Sequence, residues 1–423
     1  MKPYQVLIFI AVVMSLLGVL YKAFPNGQLL HKQPTELSME VSDNDTIEEF
    51  PVFAEAEVEV ETDTVIPQEP KVIIPKVAVD STTDSRVFLQ SFYASLAESN
   101  HKVVRVLHYG DSQIEEDRMS QQIREALQNK YGGSGVGLLP LAQTIPSRTV
   151  KQQLRMNDRW IQPVQGPKRY LVYGPKRDQR EDGLYGVMGQ VAVMNDSLVK
   201  GSEELTAVCT PLDGRKRYTQ WRVFADSAIH YSFTGDSVFL SGQGKVYGLS
   251  QQSDTGVIVD NIPMRGCLGL VFTKMDREQL VTFYREQNVQ LIIMQFGGNA
   301  IPSNKNPGTI QGIVKGLRQQ VQYLRTCAPQ ASILFIGPSD MLTQIDGEWQ
   351  TYPMVPYMDK LLRKMALEEN IAYFSLYRWM GGAGSMARWQ EIGLAGSDGV
   401  HFTRSGARKA GNAVAEWMLE GES

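Results

Sequence analysis

The sequence is poor in the residues from which metal sites and disulfide frameworks are built. It has 3 cysteines and 5 histidines among 423 residues. Cys209, Cys267 and Cys327 match no zinc-ligand spacing. An odd, sparse set of cysteines cannot form a disulfide framework, although one pair could bridge in an oxidising compartment. The chain therefore does not have the pattern of a zinc-binding or disulfide-rich domain.

The sequence also lacks an excess of positive charge. Lys and Arg total 42 against 46 Asp and Glu, which gives a formal net charge of -4. This balance gives no reason to expect nucleic acid or an anionic membrane surface as a partner. The hydrophobic share of 43% is normal for a globular protein. The length allows two domains with additional segments.

The long apolar run of the chain lies at its amino terminus. Val6 to Leu20 is apolar except for Ser15, and with its flanks it approaches the ~20 residues that cross a bilayer. A cleaved signal peptide has an apolar region of similar length, but residues 21–23 supply only one of the two small residues expected before a cut. We predict that residues 1–25 form an uncleaved membrane anchor, with a cleaved signal peptide as the alternative.

Two further segments have distinct compositions. Residues 26–85 are acidic, contain proline and are poor in aromatics, which predicts a disordered, solvated tether. Residues 146–255 lose helical periodicity and instead carry short alternating runs separated by turn residues. Such alternation is typical of an antiparallel sandwich or barrel. We therefore predict a β-sandwich-like domain inserted into a different fold.

On both sides of this insert, strand and helix patterns alternate. Val103 starts a β-branched apolar run that stops at Gly110, and residues 114–130 then show helical spacing. After the insert, apolar strands again alternate with amphipathic helices up to the carboxyl terminus. This alternation predicts an α/β, doubly wound parallel sheet, built from residues 86–145 and 256–423.

Polar residues follow several of these strands. Ser112 stands where the first strand turns into a helix, and Asn299 follows Gly297 and Gly298 directly after the strand that begins at Val289. The segment Asp398-Gly-Val-His401 precedes the last helix, and Gly266 follows another strand. Each feature alone could be an ordinary turn or helix cap. Open α/β sheets, however, bind ligands at the carboxyl ends of their strands.

Taken in order, Ser, Gly, Asn and Asp-x-x-His resemble the motifs of the SGNH/GDSL family of esterases, over residues from about 100 to 145 and 256 to 420. The resemblance implies that Ser112 is the nucleophile, that His401 is the general base and acid, and that Asp398 orients His401. It also implies an oxyanion hole made by the backbone N–H groups of Ser112 and Gly266 and the side chain of Asn299. No metal and no cofactor are implied.

Some details of the match are less regular. Gln113 stands where the family usually has leucine, so a lipase-like activity is not implied. Gly269 is the alternative to Gly266 for the second motif. Arg265 could meet an acidic substrate or form an ion pair, and His108, inside the first strand, is expected to be buried rather than catalytic.

The anchor, tether and insert make the chain similar to SGNH enzymes of the cell envelope that act on O-acetyl groups of peptidoglycan or exported polysaccharide. We therefore expect a periplasmic, membrane-anchored serine esterase whose partner is an acetylated glycan. The alternatives are a glycan O-acetyltransferase working with a membrane O-acyltransferase, or a non-catalytic glycan-binding or scaffold protein. We also expect the insert to enter and leave near Ser112 and to help hold the glycan. Its aromatic residues could stack on sugar rings or form its core: Trp160, Tyr170, Tyr173, Tyr185, Trp221 and Tyr231.

Overall fold

The structure is a computed structural model, and it describes residues 84–422 except 142–145, 158, 162–196, 213–219, 226–227, 305 and 346. The predicted anchor and nearly all of the predicted tether lie outside the described residues, as do Tyr170, Tyr173 and Tyr185. Within the described ranges, no helix combines the length and the apolar character that crossing a membrane requires.

The described residues form fourteen strands and eight α-helices. The strands are β1 (Val103–Gly110), β2 (Gly137–Pro140), β3 (Val150–Met156), β4 (Arg159–Ile161), β5 (Ser197–Pro211), β6 (Gln220–Ala225), β7 (Ile229–Thr234), β8 (Ser237–Gln252), β9 (Gly256–Pro263), β10 (Val289–Gln295), β11 (Ser332–Gly337), β12 (Leu342–Ile345), β13 (Glu348–Thr351) and β14 (Ala372–Ser375). The helices are α1 (Gln90–Leu96), α2 (Ser120–Tyr131), α3 (Arg277–Glu286), α4 (Pro307–Cys327), α5 (Val355–Glu368), α6 (Leu376–Trp379), α7 (Ser385–Glu391) and α8 (Arg404–Glu420).

The predicted parallel α/β sheet is confirmed. Five strands lie in the order β14-β11-β10-β1-β9, and every neighbouring pair is parallel. Counted among themselves, these strands have the flavodoxin-like order, in which the crevice between the first and third strands is the ligand site. Here that crevice lies between β1 and β10, at the level where Gly110 pairs with Gln295.

Apolar side chains of the central strands are buried on both faces of the sheet. In β1, Val104 and Val106 belong to one buried cluster, and Leu107 and Tyr109 belong to another. The first cluster includes residues of α1, α2 and α8, and the second includes residues of α3, α4 and α5. Because both faces are covered, the strands can be nearly continuous apolar runs.

The insert differs from the sandwich that its alternation predicts. In the described residues, β2 to β8 form one seven-stranded antiparallel sheet. The reason is the length of β8, which pairs with β5 and β7 along its first half and with β2 and β6 along its second half. One long strand thus joins all these partners in a single sheet. The sheet also begins earlier than predicted, because β2 precedes residue 146.

The helix predicted from residue 114 begins later, at Ser120. Residues 112–117 form a kinked 3₁₀ segment instead, in which Glu116 and Asp117 have φ values of 61° and 64°. Non-glycine residues adopt this conformation rarely, and two in succession interrupt any helix. The N-terminus of α2 is therefore not directly beside Ser112, contrary to the expectation from the sequence.

The predicted position of the insert is half correct. Its first residues, Arg148 and Thr149, contact Glu116 and Asp117 just after Ser112. Its last strand, however, leads into Gly256, which pairs with Val103 at the amino-terminal end of the sheet. This follows from the parallel pairing of β9 with β1, which makes both strands start at the same edge, opposite the site.

The glycine-rich segment that follows α2, residues 132–137, packs at that opposite edge of the sheet. A Cβ atom on Gly135 would lie 2.1 Å from the carbonyl oxygen of Gln251, and one on Gly133 would lie 2.6 Å from the backbone nitrogen of Val257. The glycines are therefore required by the close approach of two backbones.

A buried ion pair inside the parallel sheet is hydrogen-bonded to the antiparallel sheet. Arg105 of β1 donates to both carboxylate oxygens of Asp260 in β9, at 2.9 and 2.7 Å, and also to Gln252 at the end of β8. The N–H of Leu138 in β2 donates to the same Asp260 carboxylate at 2.7 Å. Because both charged side chains are fully buried, removing either partner would leave an uncompensated charge inside the protein.

Candidate active site

The turn after β1 places Ser112 at the carboxyl end of the sheet. Asp111 caps the 3₁₀ segment, because its carboxylate accepts a hydrogen bond from the N–H of Gln113 at 3.0 Å. A Cβ atom on Gly110 would lie 3.0 Å from the side chain of Ile114. The chain can therefore turn this tightly over Ile114 only with a small residue at position 110.

The structure brings Ser112 next to Asp398 and His401, although 289 positions separate Ser112 from His401 in the sequence. Ser112 Oγ lies 2.8 Å from His401 Nε2, and His401 Nδ1 lies 2.6 Å from Asp398 Oδ2. Because a carboxylate only accepts hydrogen bonds, Nδ1 carries the proton and Nε2 is free to accept from the Ser112 hydroxyl. This is the arrangement of a nucleophile, a base and an orienting carboxylate.

Asp398 is held in its charged form. Its second oxygen accepts hydrogen bonds from the N–H groups of Val400 and His401, both at 2.9 Å. Burial alone would raise the pKa of the Asp398 carboxyl, but the hydrogen bond and charge of His401 and the two backbone donors leave this pKa lower than usual. A carboxylate fixed in this way holds the imidazole in one tautomer and one orientation.

Gly266 lies in a tight turn that follows β9. The N–H of Cys267 donates to the carbonyl of Met264 at 3.0 Å, and Gly266, at the third position of this turn, has a φ of 73°. A type II turn requires such a φ, which favours glycine there. Gly266 is exposed, whereas Gly269 is buried, and a Cβ atom on it would lie 2.7 Å from the ring of Phe296. Of the two candidates, only Gly266 faces solvent.

Asn299 connects the turns that follow three strands. Its side-chain amide donates to Asp111 Oδ2 at 3.1 Å and to the carbonyl of Cys267 at 3.3 Å. Since both neighbours are acceptors, the nitrogen of this amide must face them. Asp111 is 5% exposed, and burial raises its pKa to about 6 despite the hydrogen bond from Gln113 and the nearby His401. The amide nitrogen of Asn299 thus has two acceptors in this structure.

Gln113, which departs from the usual motif, has a position that the sequence does not reveal. Its amide donates to the carbonyl of Val400 at 2.7 Å and lies 3.4 Å from Ser339 Oγ. Val400 immediately precedes His401, so Gln113 connects the turn that carries Ser112 with the turn that carries His401. Because these partners are so distant along the chain, no local pattern could predict the contact.

Three ion pairs hold the kinked 3₁₀ segment that starts at Ser112, residues 112–117. Arg265 forms a bidentate pair with Glu115, with an Nε–Oε1 distance of 2.6 Å. Arg148 lies 2.8 Å from Glu116, and Arg124 lies 2.6 Å from Asp117. Of the two roles considered for Arg265, the structure shows the ion pair, which connects the Gly266 turn with the loop after Ser112.

The remaining candidate residues have structural surroundings. His108 is fully buried, with Nε2 at 3.1 Å from Gln295 Oε1 and Nδ1 at 2.8 Å from Ser120 Oγ. Burial lowers the pKa of His108 to about 4. All three cysteines are buried, and none of them forms a disulfide bond. Among the aromatics of the insert, Trp221 belongs to the core, whereas Trp160 and Tyr231 are exposed.

Comparisons with known proteins bear on the fold. No family model matches the chain, and no curated protein matches it. A solved structure of a peptidoglycan O-acetylesterase matches with a TM-score of 0.59 and 17% identity, over 81% of this chain and 97% of that one. Est24, a carbohydrate acetylesterase from Sinorhizobium meliloti, matches with a TM-score of 0.31 and 13% identity, over 75% of this chain and 99% of that one. The first of these likenesses, together with the topology and the four motifs, shows that the chain has the fold of the SGNH/GDSL hydrolases.

Proposed function

We propose that this protein is a serine esterase that removes O-acetyl groups from a cell-envelope glycan. The observation that carries the proposal is the hydrogen-bonded chain Ser112, His401 and Asp398 at the carboxyl end of a parallel sheet. The fold that the chain shares with a peptidoglycan O-acetylesterase supports an acetylated glycan as substrate. An intact, hydrogen-bonded triad also supports an enzyme over a scaffold protein.

The geometry suggests the following reaction. Ser112 Oγ attacks the acetyl carbonyl carbon while His401 Nε2 takes its proton. The N–H groups of Ser112 and Gly266 and the amide of Asn299 donate to the oxygen that becomes negatively charged. The sugar oxygen then leaves with the proton from His401. Water then attacks the acetyl carbon of acetyl-Ser112 with His401 again as base. The bond from this carbon to Ser112 Oγ breaks, Oγ takes the proton from His401, and acetate is released.

The same residues would serve an O-acetyltransferase, in which a sugar hydroxyl replaces water in the second step. A membrane O-acyltransferase would then be the partner that supplies acetyl groups. The two activities differ only in what attacks acetyl-Ser112, so a product assay separates them. The proposal also places the protein in the cell envelope with its catalytic part exported, which rests on the apolar run of residues 1–25.

The test uses purified protein and 4-nitrophenyl acetate. We expect hydrolysis that is much faster than with a long-chain ester, and no hydrolysis by Ser112→Ala with an unchanged circular dichroism spectrum. Equal activity of Ser112→Ala would refute the nucleophile assignment. Mass spectrometry after adding an unacetylated oligosaccharide distinguishes the activities, because a sugar that gains 1 acetyl group identifies a transferase.

A further inference from the structure

We propose that the hairpin formed by β12 and β13 is a sugar-binding platform, in which Trp349 stacks on a pyranose ring next to the acetylated sugar. This inference rests on the proposed function for the identity of the glycan. It differs from the expectation for the insert, because the hairpin belongs to the α/β part of the chain.

The hairpin is built onto the turn that carries the catalytic histidine. The N–H of Leu342, the first residue of β12, donates to the carbonyl of Gly399 at 2.9 Å. A Cβ atom on Gly399 would lie 2.9 Å from Leu342 Cβ. Gly399 lies between Asp398 and His401, so the base of the hairpin packs directly against this turn.

The second strand of the hairpin is anchored at the same base, where Thr351 pairs with Leu342. Thr351, the last residue of β13, accepts a hydrogen bond from the N–H of Gly384 through its hydroxyl at 2.8 Å. The segment that leads into β12 contains Ser339, which lies 3.4 Å from the amide of Gln113 beside Ser112. The hairpin therefore rises from the carboxyl end of the sheet, where the triad lies.

The register of the hairpin places Trp349 on the same face as Leu342, the residue that packs against Gly399. Leu342 pairs with Thr351, and Gln344 pairs with Trp349. Residues directly opposite each other share a face, as do residues two apart along a strand. This face is buried at Leu342, which is 3% exposed, and open at Trp349, which is 56% exposed. From the strand rise, Trp349 lies about 7 Å further out than Leu342.

The indole ring of Trp349 and the amide of Gln344, which is paired with it, are suited to bind a sugar. The ring offers a flat apolar surface for the C–H groups of a pyranose, and the facing Gln344 amide can donate and accept hydrogen bonds with hydroxyls. Among the exposed large apolar residues of the described chain, the other aromatics are Trp160, Tyr231 and Phe233, all in the antiparallel sheet. Trp349 is thus the exposed aromatic on the α/β part.

The experiment compares Trp349→Ala with Trp160→Ala, a control of similar exposure in the insert. Substrates are 4-nitrophenyl acetate and chemically O-acetylated chitopentaose. For Trp349→Ala we expect unchanged kcat/KM with the small ester, and a KM for the oligosaccharide raised about 3- to 10-fold, the size of one aromatic contact. Trp349→Phe should recover most of the loss, and Trp160→Ala, which reports on an aromatic contact from the insert, should lose less than Trp349→Ala.

Three outcomes would overturn the platform: equal losses on both substrates, no loss on the oligosaccharide, or a selective loss in Trp160→Ala alone. If the wild type cleaves neither substrate, the proposed esterase function fails. The sugar-binding platform is then tested separately by measuring oligosaccharide binding. For that arm, the oligosaccharide is titrated into Ser112→Ala and into Ser112→Ala/Trp349→Phe while tryptophan fluorescence is followed. The platform requires a fluorescence change that disappears in the double variant, and an unchanged response refutes it.

Discussion

The ion pair between Arg265 and Glu115 allows a prediction in which the two partners are unequal. The Glu115 side chain is 1% exposed, whereas that of Arg265 is 26% exposed. Arg265→Gln leaves a carboxylate buried without its bidentate partner, which typically costs about 3–5 kcal/mol of stability. Glu115→Gln leaves a guanidinium that water can reach, so we expect a loss of about 1 kcal/mol.

Both variants should also slow catalysis, because Arg265 directly precedes Gly266 in the turn that supplies a proposed oxyanion donor. A displaced donor costs less than a deleted one, so we expect kcat for 4-nitrophenyl acetate to fall about 10- to 100-fold. The double variant should be more stable than Arg265→Gln alone, since it no longer buries an unpaired charge.

The assay is urea unfolding followed by circular dichroism, together with initial rates. Arg318→Gln is a matched control, because the Arg318–Glu368 pair is exposed, with 36% and 41% accessible side chains, and such pairs contribute at most about 1 kcal/mol. A loss of stability in Glu115→Gln equal to or larger than that in Arg265→Gln would refute the reasoning.

Three further predictions concern the site. His401→Ala should reduce kcat as much as Ser112→Ala, and the double variant should lose little more, because the residues act as a unit; additive losses would contradict this. Asn299→Ala should lower kcat about 10²- to 10³-fold in the same assay, and a loss below threefold would argue against an oxyanion role. Asp111→Asn should also lower kcat, because it places an amide N–H against the donating amide of Asn299. Burial raises the pKa of Asp111 to about 6, whereas the ordinary pKa of an aspartate is about 4. As pH rises from about 4 to about 6, the ionisation of Asp111 therefore destabilises the folded state. The melting temperature of the wild type should therefore fall relative to Asp111→Asn over this interval, and a constant difference would contradict the shift.

The sequence predicted the parallel sheet because its signals are local. Each central strand is an apolar run, and the carboxyl ends of parallel strands converge, so residues placed after β1 and β10 were expected to meet. The hydrogen bond between Asp111 and Asn299 is one result of that convergence. The contact of Ser112 with His401 follows equally from topology, since His401 precedes a helix that packs beside α2.

The parts that were wrong depend on distant partners. The late start of α2 follows from the left-handed conformation of Glu116 and Asp117, which Arg148 and Arg124 stabilise through ion pairs. Helical spacing from residue 114 contains no sign of these contacts. The described strands of the insert form one sheet rather than two for a similar reason, because alternation identifies strands but does not show that β8 pairs with β2, β5, β6 and β7.

The position of the insert in the chain has a consequence for biosynthesis. β1 is the second strand from one edge of the central sheet, and both of its neighbours, β9 and β10, follow the insert: Val103 pairs with Gly256, and Gly110 pairs with Gln295. At ~5–20 residues per second, the ribosome delivers β9 roughly 8 to 30 s after β1. During this time the apolar residues of β1 have no strand to pair with, although the antiparallel sheet between them can already form. The turn that carries Ser112 is thus synthesised early but has its neighbours only when the later strands arrive, and the unpaired β1 is prone to aggregation over that interval.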